Sequence, residues 1–194
     1  MIIIEGLDKV GKSTLARELS KGGDAQPIHY GRPSSSSLLS VFDEYADPLR
    51  HMTHKHEAIF DRYYLGERVF GPVIRGSSGI SAFEMEVLER AVEAEGGLLL
   101  LCKPHLPIDD FVKELKVDDA TTPANAGALV SLYDAEFAKS RLPKITLHPR
   151  AHVVGSPSYI EILNTIQTLH RELLEQRASY GYLRKDYCGS LKPD

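Results

Sequence analysis

The string Gly6-Leu7-Asp8-Lys9-Val10-Gly11-Lys12-Ser13-Thr14 follows a short β-branched run, Met1 to Ile4, and leads into good helix formers from Ser13 to Leu19. It satisfies G-x-x-x-x-G-K-[ST] in the setting of strand, loop and helix that gives this pattern its meaning. Glycines let the backbone curl so that successive N–H groups point inward, and the helix start adds the positive end of its dipole. The segment therefore reads as a cradle for phosphate oxygens. A buried strand feeding a helix in this way is also the opening unit of a parallel α/β sheet.

The rest of the chain continues that alternation. Ile28-His29-Tyr30, Ala58-Ile59-Phe60 and Leu98 to Cys102 read as strands, the last two stopping at Asp61-Arg62 and Lys103-Pro104. Ser81 and Glu84 form a capping box before Phe83, Val87, Leu88, Ala91 and Val92 at helical spacing. Leu129, Leu132, Tyr133 and Phe137 mark another helix. Ile162, Ile166, Leu169 and Leu173 mark a third, opened by Ser158 and Glu161. Ile145 to Val154, broken by Pro149, holds a last strand at one end or the other. Ser34 to Ser37, Asp118 to Pro123 and the stretch after Arg177 read as loops or mobile segments. The division expected is one domain over 1–177, with 104–140 as a lid or helical region, and a C-terminal tail over 178–194.

A chain of 194 residues suits a single domain with a real core. Its 23 basic and 27 acidic residues give a net charge of −4, which argues against a dedicated duplex-DNA binder with a wide basic face. Apolar runs of four residues at Met1 to Ile4 and five at Leu98 to Cys102 are too short for a signal or a membrane span, so a cytoplasmic protein is expected. Two cysteines, Cys102 and Cys188, make no disulfide framework and suit a reducing compartment.

The cradle Gly6, Asp8, Lys9, Val10, Gly11, Lys12, Ser13 and Thr14 implies ATP with Mg²⁺. Lys12 reaches the β and γ phosphates, the Ser13 hydroxyl ligates the metal, and Thr14 stands near the α phosphate. No N-K-x-D guanine reader is present, and the strand ending Asp61-Arg62-Tyr63 lacks the adjacent acids of a motor ATPase. A small kinase fits better.

With IEGLDKVGKSTLA at 4–16, FDRYYLGERVFGPVIRG at 60–76 and LLLLCKP at 98–104 in view, the chain resembles the thymidylate kinase family, especially its short members encoded by bacterial viruses. The resemblance covers about a quarter of the residues. It implies a three-layer P-loop kinase fold with a five-stranded parallel sheet flanked by helices, and transfer of the ATP γ phosphate to a deoxynucleoside monophosphate. It also implies a location in a virus-infected bacterial cell and dimerisation through helices. Asp8 looks like the carboxylate that contacts the acceptor sugar, and Asp61-Arg62 like the family's DR pair, with Arg62 clamping the acceptor phosphate and Asp61 beside the metal. Arg75 falls where relatives contact the thymine carbonyl side, and Phe70 where a ring stacks on the base. Tyr63, Tyr64 and Arg32 are further candidates for the acceptor pocket.

One departure keeps a second reading open. The family's lid carries several arginines, whereas residues 104 to 140 contain none; Lys9 or Arg141 is the expected substitute, with Lys103, Lys113 and Lys116 also nearby. A hydroxyl acceptor, either a nucleoside or a modified base such as 5-hydroxymethyluracil in DNA, must lose a proton. Glu5 and Asp61 stand at strand ends where a carboxylate could take it; through IEG…GKST the chain also distantly resembles nucleoside kinases, and that resemblance implies this part for Glu5. Tyr180, Tyr182, Arg184, Lys185 and Tyr187 mix rings and cations as a single-strand-binding tail would, though a packed arm explains them as well. A nucleotide-binding module without turnover is a third reading. His51, His54 and His56 invite a metal site, but without a cysteine or a fourth ligand they read as a solvated helix end.

Overall fold

The structure, a computed structural model, describes residues 1–21, 27–31, 33, 40–52, 57–115 and 121–188; for 121, 122 and 180–188 the backbone alone is described. Five strands, β1 (Ile2–Glu5), β2 (Pro27–His29), β3 (Ile59–Asp61), β4 (Leu98–Cys102) and β5 (Lys144–Leu147), form one parallel sheet in the order β2-β3-β1-β4-β5. Seven helices, α1 (Lys12–Ser20), α2 (Val41–His51), α3 (Tyr64–Arg75), α4 (Ala82–Ala94), α5 (Ile108–Glu114), α6 (Thr121–Lys139) and α7 (Pro157–Cys188), flank it among the described residues. This is the α/β architecture expected from the alternation of apolar runs and helical spacings.

The two central strands are wholly buried, which is why Ile2 to Ile4 and Leu98 to Leu101 are continuous apolar runs rather than alternating ones. Each such side chain taken from water contributes about 1.5–3 kcal/mol, so β1 and β4 anchor the frame that carries the loops at their C-terminal ends. The chain runs from β1 outward to β2, returns through β3, then crosses to β4 and β5. Ligands bind at the crevice where such a reversal leaves strand ends exposed. The C-terminal ends of β1, β3 and β4 deliver Glu5, Asp61 and Cys102 there.

Several local expectations are corrected. Ser81 and Glu84 do form a capping box for α4, but Phe83 is 73% exposed and Val87 also faces solvent, while Met85, Leu88 and Val92 make the buried face. The cap of α7 is Ser156, whose hydroxyl and carbonyl accept the Tyr159 and Ile160 amides; Ser158 lies in the first turn, its hydroxyl 3.0 Å from His152 Nδ1. The last strand lies before Pro149, and Val153 and Val154 are exposed. Thr121 to Pro123 begin α6 rather than a loop, and the backbone after Arg177 continues α7 to Cys188. His51 ends α2 beside Asp47; His54, His56 and the serine tract lie outside the described residues. No helix among the described residues is long and apolar enough to cross a membrane.

Candidate active site

The loop between β1 and α1 turns through three positive φ values, Gly6 at 136°, Lys9 at 64° and Gly11 at 97°. Gly6 is demanded by close approach as well: a Cβ there would stand 2.2 Å from the Cys102 carbonyl oxygen of β4. Gly6→Ala is expected to cost about 3 kcal/mol or more by combining left-handed strain with that clash, as urea unfolding would show. Leu7 and Val10 face the core, so Val10 offers a ligand its backbone rather than its side chain.

Lys12 opens α1 and is buried, its ammonium donating to the Leu7 carbonyl and lying 4.0 Å from Asp8. Burial pulls its pKa below the ordinary lysine value, with Asp61, Cys102 and Glu5 opposing that. In the next position Ser13 Oγ donates to Asp61 Oδ2 at 2.6 Å, joining α1 to the end of β3. Asp61 is buried, and its other oxygen, Oδ1, has no partner. A hydroxyl and a carboxylate with one unmet oxygen are hard oxygen donors of the kind Mg²⁺ takes. Ser13 and Asp61 therefore fit that ion.

Arg62 sits immediately after β3 at a φ of 71°, a strained conformation for a side chain of this size. The twist sends Asp61 toward α1 and lets Arg62 reach across to pair with Asp8. The Arg62 Nε is buried with no partner. Two clefts meet at this pair. One, lined by Asp8, Lys9, Gly11, Lys12, Ser13, Thr14 and Arg62, runs on to Pro149, Arg150, His152 and Tyr159. The other lies between the Tyr30–Gly31 turn and α3, again bordered by Asp8 and Arg62.

The second cleft has an aromatic floor. Tyr63 stacks on Phe60 with centroids 4.5 Å apart, and Tyr30 meets Tyr45 and Tyr63 at 5.7 and 5.2 Å. Phe70 lines the far wall, edge-on to Tyr133 of α6, and Arg75 closes it, held by buried Glu67. Glu67 also accepts the Gly79 amide at 2.7 Å. Tyr64 turns away, its hydroxyl donating to Glu89 at 2.9 Å. Arg32 lies outside the described residues.

Glu5 is fully buried and caps α3: its Oε1 accepts the amides of Tyr63, Leu65 and Gly66 at 2.9, 3.1 and 3.3 Å. Its Oε2 has no partner and borders, with the Tyr133 hydroxyl, the space beside Gly66. Burial pushes its pKa up to about 7 despite the Tyr63 and Gly66 amides and the nearby Lys12 and Arg62.

Neither Arg141 nor Lys103 lines either cleft. Arg141 precedes β5, at the sheet edge opposite the loops, and pairs with Glu93 at 2.9 Å. Lys103 pairs with Asp134, and Lys113 with Asp110, each at 2.7 Å. Lys9 is exposed in the loop itself. Besides Lys9, Lys12 and Arg62, the first cleft holds Arg150, in the short 3-10 turn Pro149–Ala151, which donates to the Lys9 carbonyl at 3.0 Å and pairs with Glu114 of α5. No pattern around Arg150 announces this; a tracing of β5 back to the loop side of the sheet would have found it. Glu67 was equally unmarked, although its place one turn into the helix after the DR pair could have drawn notice.

No family model matches the sequence, and no curated protein matches it. Among solved structures, the YorR protein of Bacillus subtilis in complex with phosphorylated GDP aligns with a TM-score of 0.68 at 20% identity, over 87% of this chain and 94% of its own. Deoxyadenosine kinase from M. mycoides with bound dCTP gives a TM-score of 0.49 at 16% identity, over 87% and 100%. The likeness to YorR shows the fold: a five-stranded parallel sheet flanked by helices.

Proposed function

We propose that this chain is an ATP- and Mg²⁺-dependent phosphotransferase whose acceptor is a nucleotide, a deoxynucleoside monophosphate of the dTMP type. The observation that carries this reading is the junction of two clefts at Asp8 and Arg62, one lined by the phosphate cradle and the other by aromatic rings. Donor and acceptor then meet at a shared wall, which is the alignment that phosphoryl transfer needs most. The unpartnered Arg62 Nε supports an anion in the acceptor cleft. Lys12 and Arg62 would neutralise the transferring group from either side, and Mg²⁺, held by Ser13 and Asp61, would supply charge neutralisation at the phosphate oxygens. Tyr30 and Phe70 would flank the acceptor base and Arg75 would meet its edge. YorR, solved with phosphorylated GDP, supports a nucleotide in such a fold.

A hydroxyl acceptor is favoured by one observation, Glu5, whose free Oε2 and pKa of about 7 suit a proton acceptor at neutral pH. Transfer of γ-³²P from ATP to free deoxynucleoside monophosphates, to nucleosides and to DNA oligomers with normal or hydroxymethylated pyrimidines decides between them. Label on free monophosphates upholds the first reading. Label confined to nucleosides or oligomers overturns it in favour of the second, and nucleotide binding with no label on any acceptor leaves a binding module. Arg150→Ala is expected to raise the KM for ATP about tenfold, the worth of one charge-assisted hydrogen bond, with a smaller effect on the KM for the acceptor. Steady-state kinetics with each substrate varied in turn would check it.

A further inference from the structure

The parallel register of β2 on β3 pairs His29 with Asp61. Residues paired in this way point to the same face of the sheet, and His29 Nδ1 lies 3.1 Å from Asp61 Oδ2. A carboxylate can only accept, so Nδ1 carries the hydrogen in this contact whichever charge the ring has. Asp61 Oδ2 also accepts the Ser13 hydroxyl at 2.6 Å. Two donors thus converge on one carboxylate oxygen and leave the other, Oδ1, buried and unpartnered.

Packing does not account for where His29 sits. Its side chain is 59% exposed on the edge strand, and it lines neither cleft. Among the described residues its polar contact is to Asp61, which gives it a route to the site through that carboxylate. The carboxylate torsion is soft. With Ser13 as its remaining side-chain tether, Asp61 would turn and present its free oxygen less consistently.

We propose that His29 is a positioning residue that orients Asp61 to hold Mg²⁺ beside Ser13. This rests on the reading of Ser13 and Asp61 as the metal-holding pair. Partners that orient a ligating carboxylate typically change metal affinity by about 10–100-fold.

The test is ADP binding measured calorimetrically at stepped Mg²⁺ concentrations for wild type, His29→Ala, His29→Asn and Asp61→Asn, with thermal melts recorded without Mg²⁺. His29→Ala is expected to move the Mg²⁺ midpoint about tenfold upward, while His29→Asn, whose amide nitrogen can occupy the Nδ1 position, stays within about threefold of wild type. Should His29→Ala fail to fold, His29→Leu fills the ring's space without the donor and takes its place. A wild-type midpoint in the donor-less variant, or equal losses in the asparagine and donor-less variants, overturns the proposal. If Asp61→Asn moves the midpoint and the donor-less variant does not, the role of His29 alone fails. If neither moves it, the reading of Ser13 and Asp61 as the metal pair fails too.

Discussion

Lys12→Ala is expected to lower γ-phosphate transfer by about 10³-fold while leaving the sheet and its thermal melt close to wild type. The lysine is buried in the wall of the cradle cleft, and its ammonium donates back to the Leu7 carbonyl of the loop. A cation held there is costly, as its depressed pKa records. On the proposed function, a phosphate replaces the carbonyl as its partner. The loss of a loop hydrogen bond and the relief of a desolvated charge act in opposite directions on stability, so the net change is small. Lys12→Arg should not restore activity, because a planar fork does not fit a space shaped around a point charge. Parallel transfer assays and melts on wild type, Lys12→Ala and Lys12→Met check this. Activity within tenfold of wild type in Lys12→Met would remove the lysine from the transfer step.

The turn from Gly6 to Gly11 was legible in the sequence because its glycines answer to the backbone alone. Gly6 must adopt a φ of 136° against the Cys102 carbonyl, and no side chain can do so cheaply. The central strands were legible for a related reason: a strand covered on both faces has no polar positions to confuse its pattern, as Leu98 to Leu101 illustrate. Asp61 could be read as a strand-end carboxylate from the abrupt stop after Phe60. What depends on distant partners was not legible. Glu5 as the cap of α3 needs amides 58 to 61 residues further on, and Arg150 meets a loop carbonyl 141 residues away. His29 against Asp61 follows from a strand register that the short run Ile28 to Tyr30 does not specify. Helical spacing in α4 showed a periodicity without saying which side the sheet would cover, and Phe83 fell on the wet side.

Glu5→Gln separates the two acceptor classes and carries the other large expected effect. Burial pushes the Glu5 carboxyl up to about 7 in the folded chain, against an ordinary value of 4.5. Between those values the native state holds a proton that the unfolded chain has released, so stability falls as pH rises through this window. The difference corresponds to about 3 kcal/mol, all of it present below pH 4.5 and lost above pH 7. Glutamine keeps an oxygen for the Tyr63, Leu65 and Gly66 amides and never ionises. Denaturant midpoints for Glu5→Gln should therefore run flatter than wild type from pH 4.5 to 7, and the variant should be the more stable of the two at pH 8. The kinetic outcome depends on the acceptor. A monophosphate is already nucleophilic, so its phosphorylation should survive in Glu5→Gln with the pH profile of wild type, set by the acceptor's own second ionisation at about pH 6. A hydroxyl must give up a proton, so wild-type transfer to it should rise as Glu5 ionises through about pH 7 and fall by about 10²–10⁴-fold in the variant. Because glutamine preserves the α3 cap, a rate loss of that size without a fall in stability would assign the free Oε2 of Glu5 to the proton rather than to the helix.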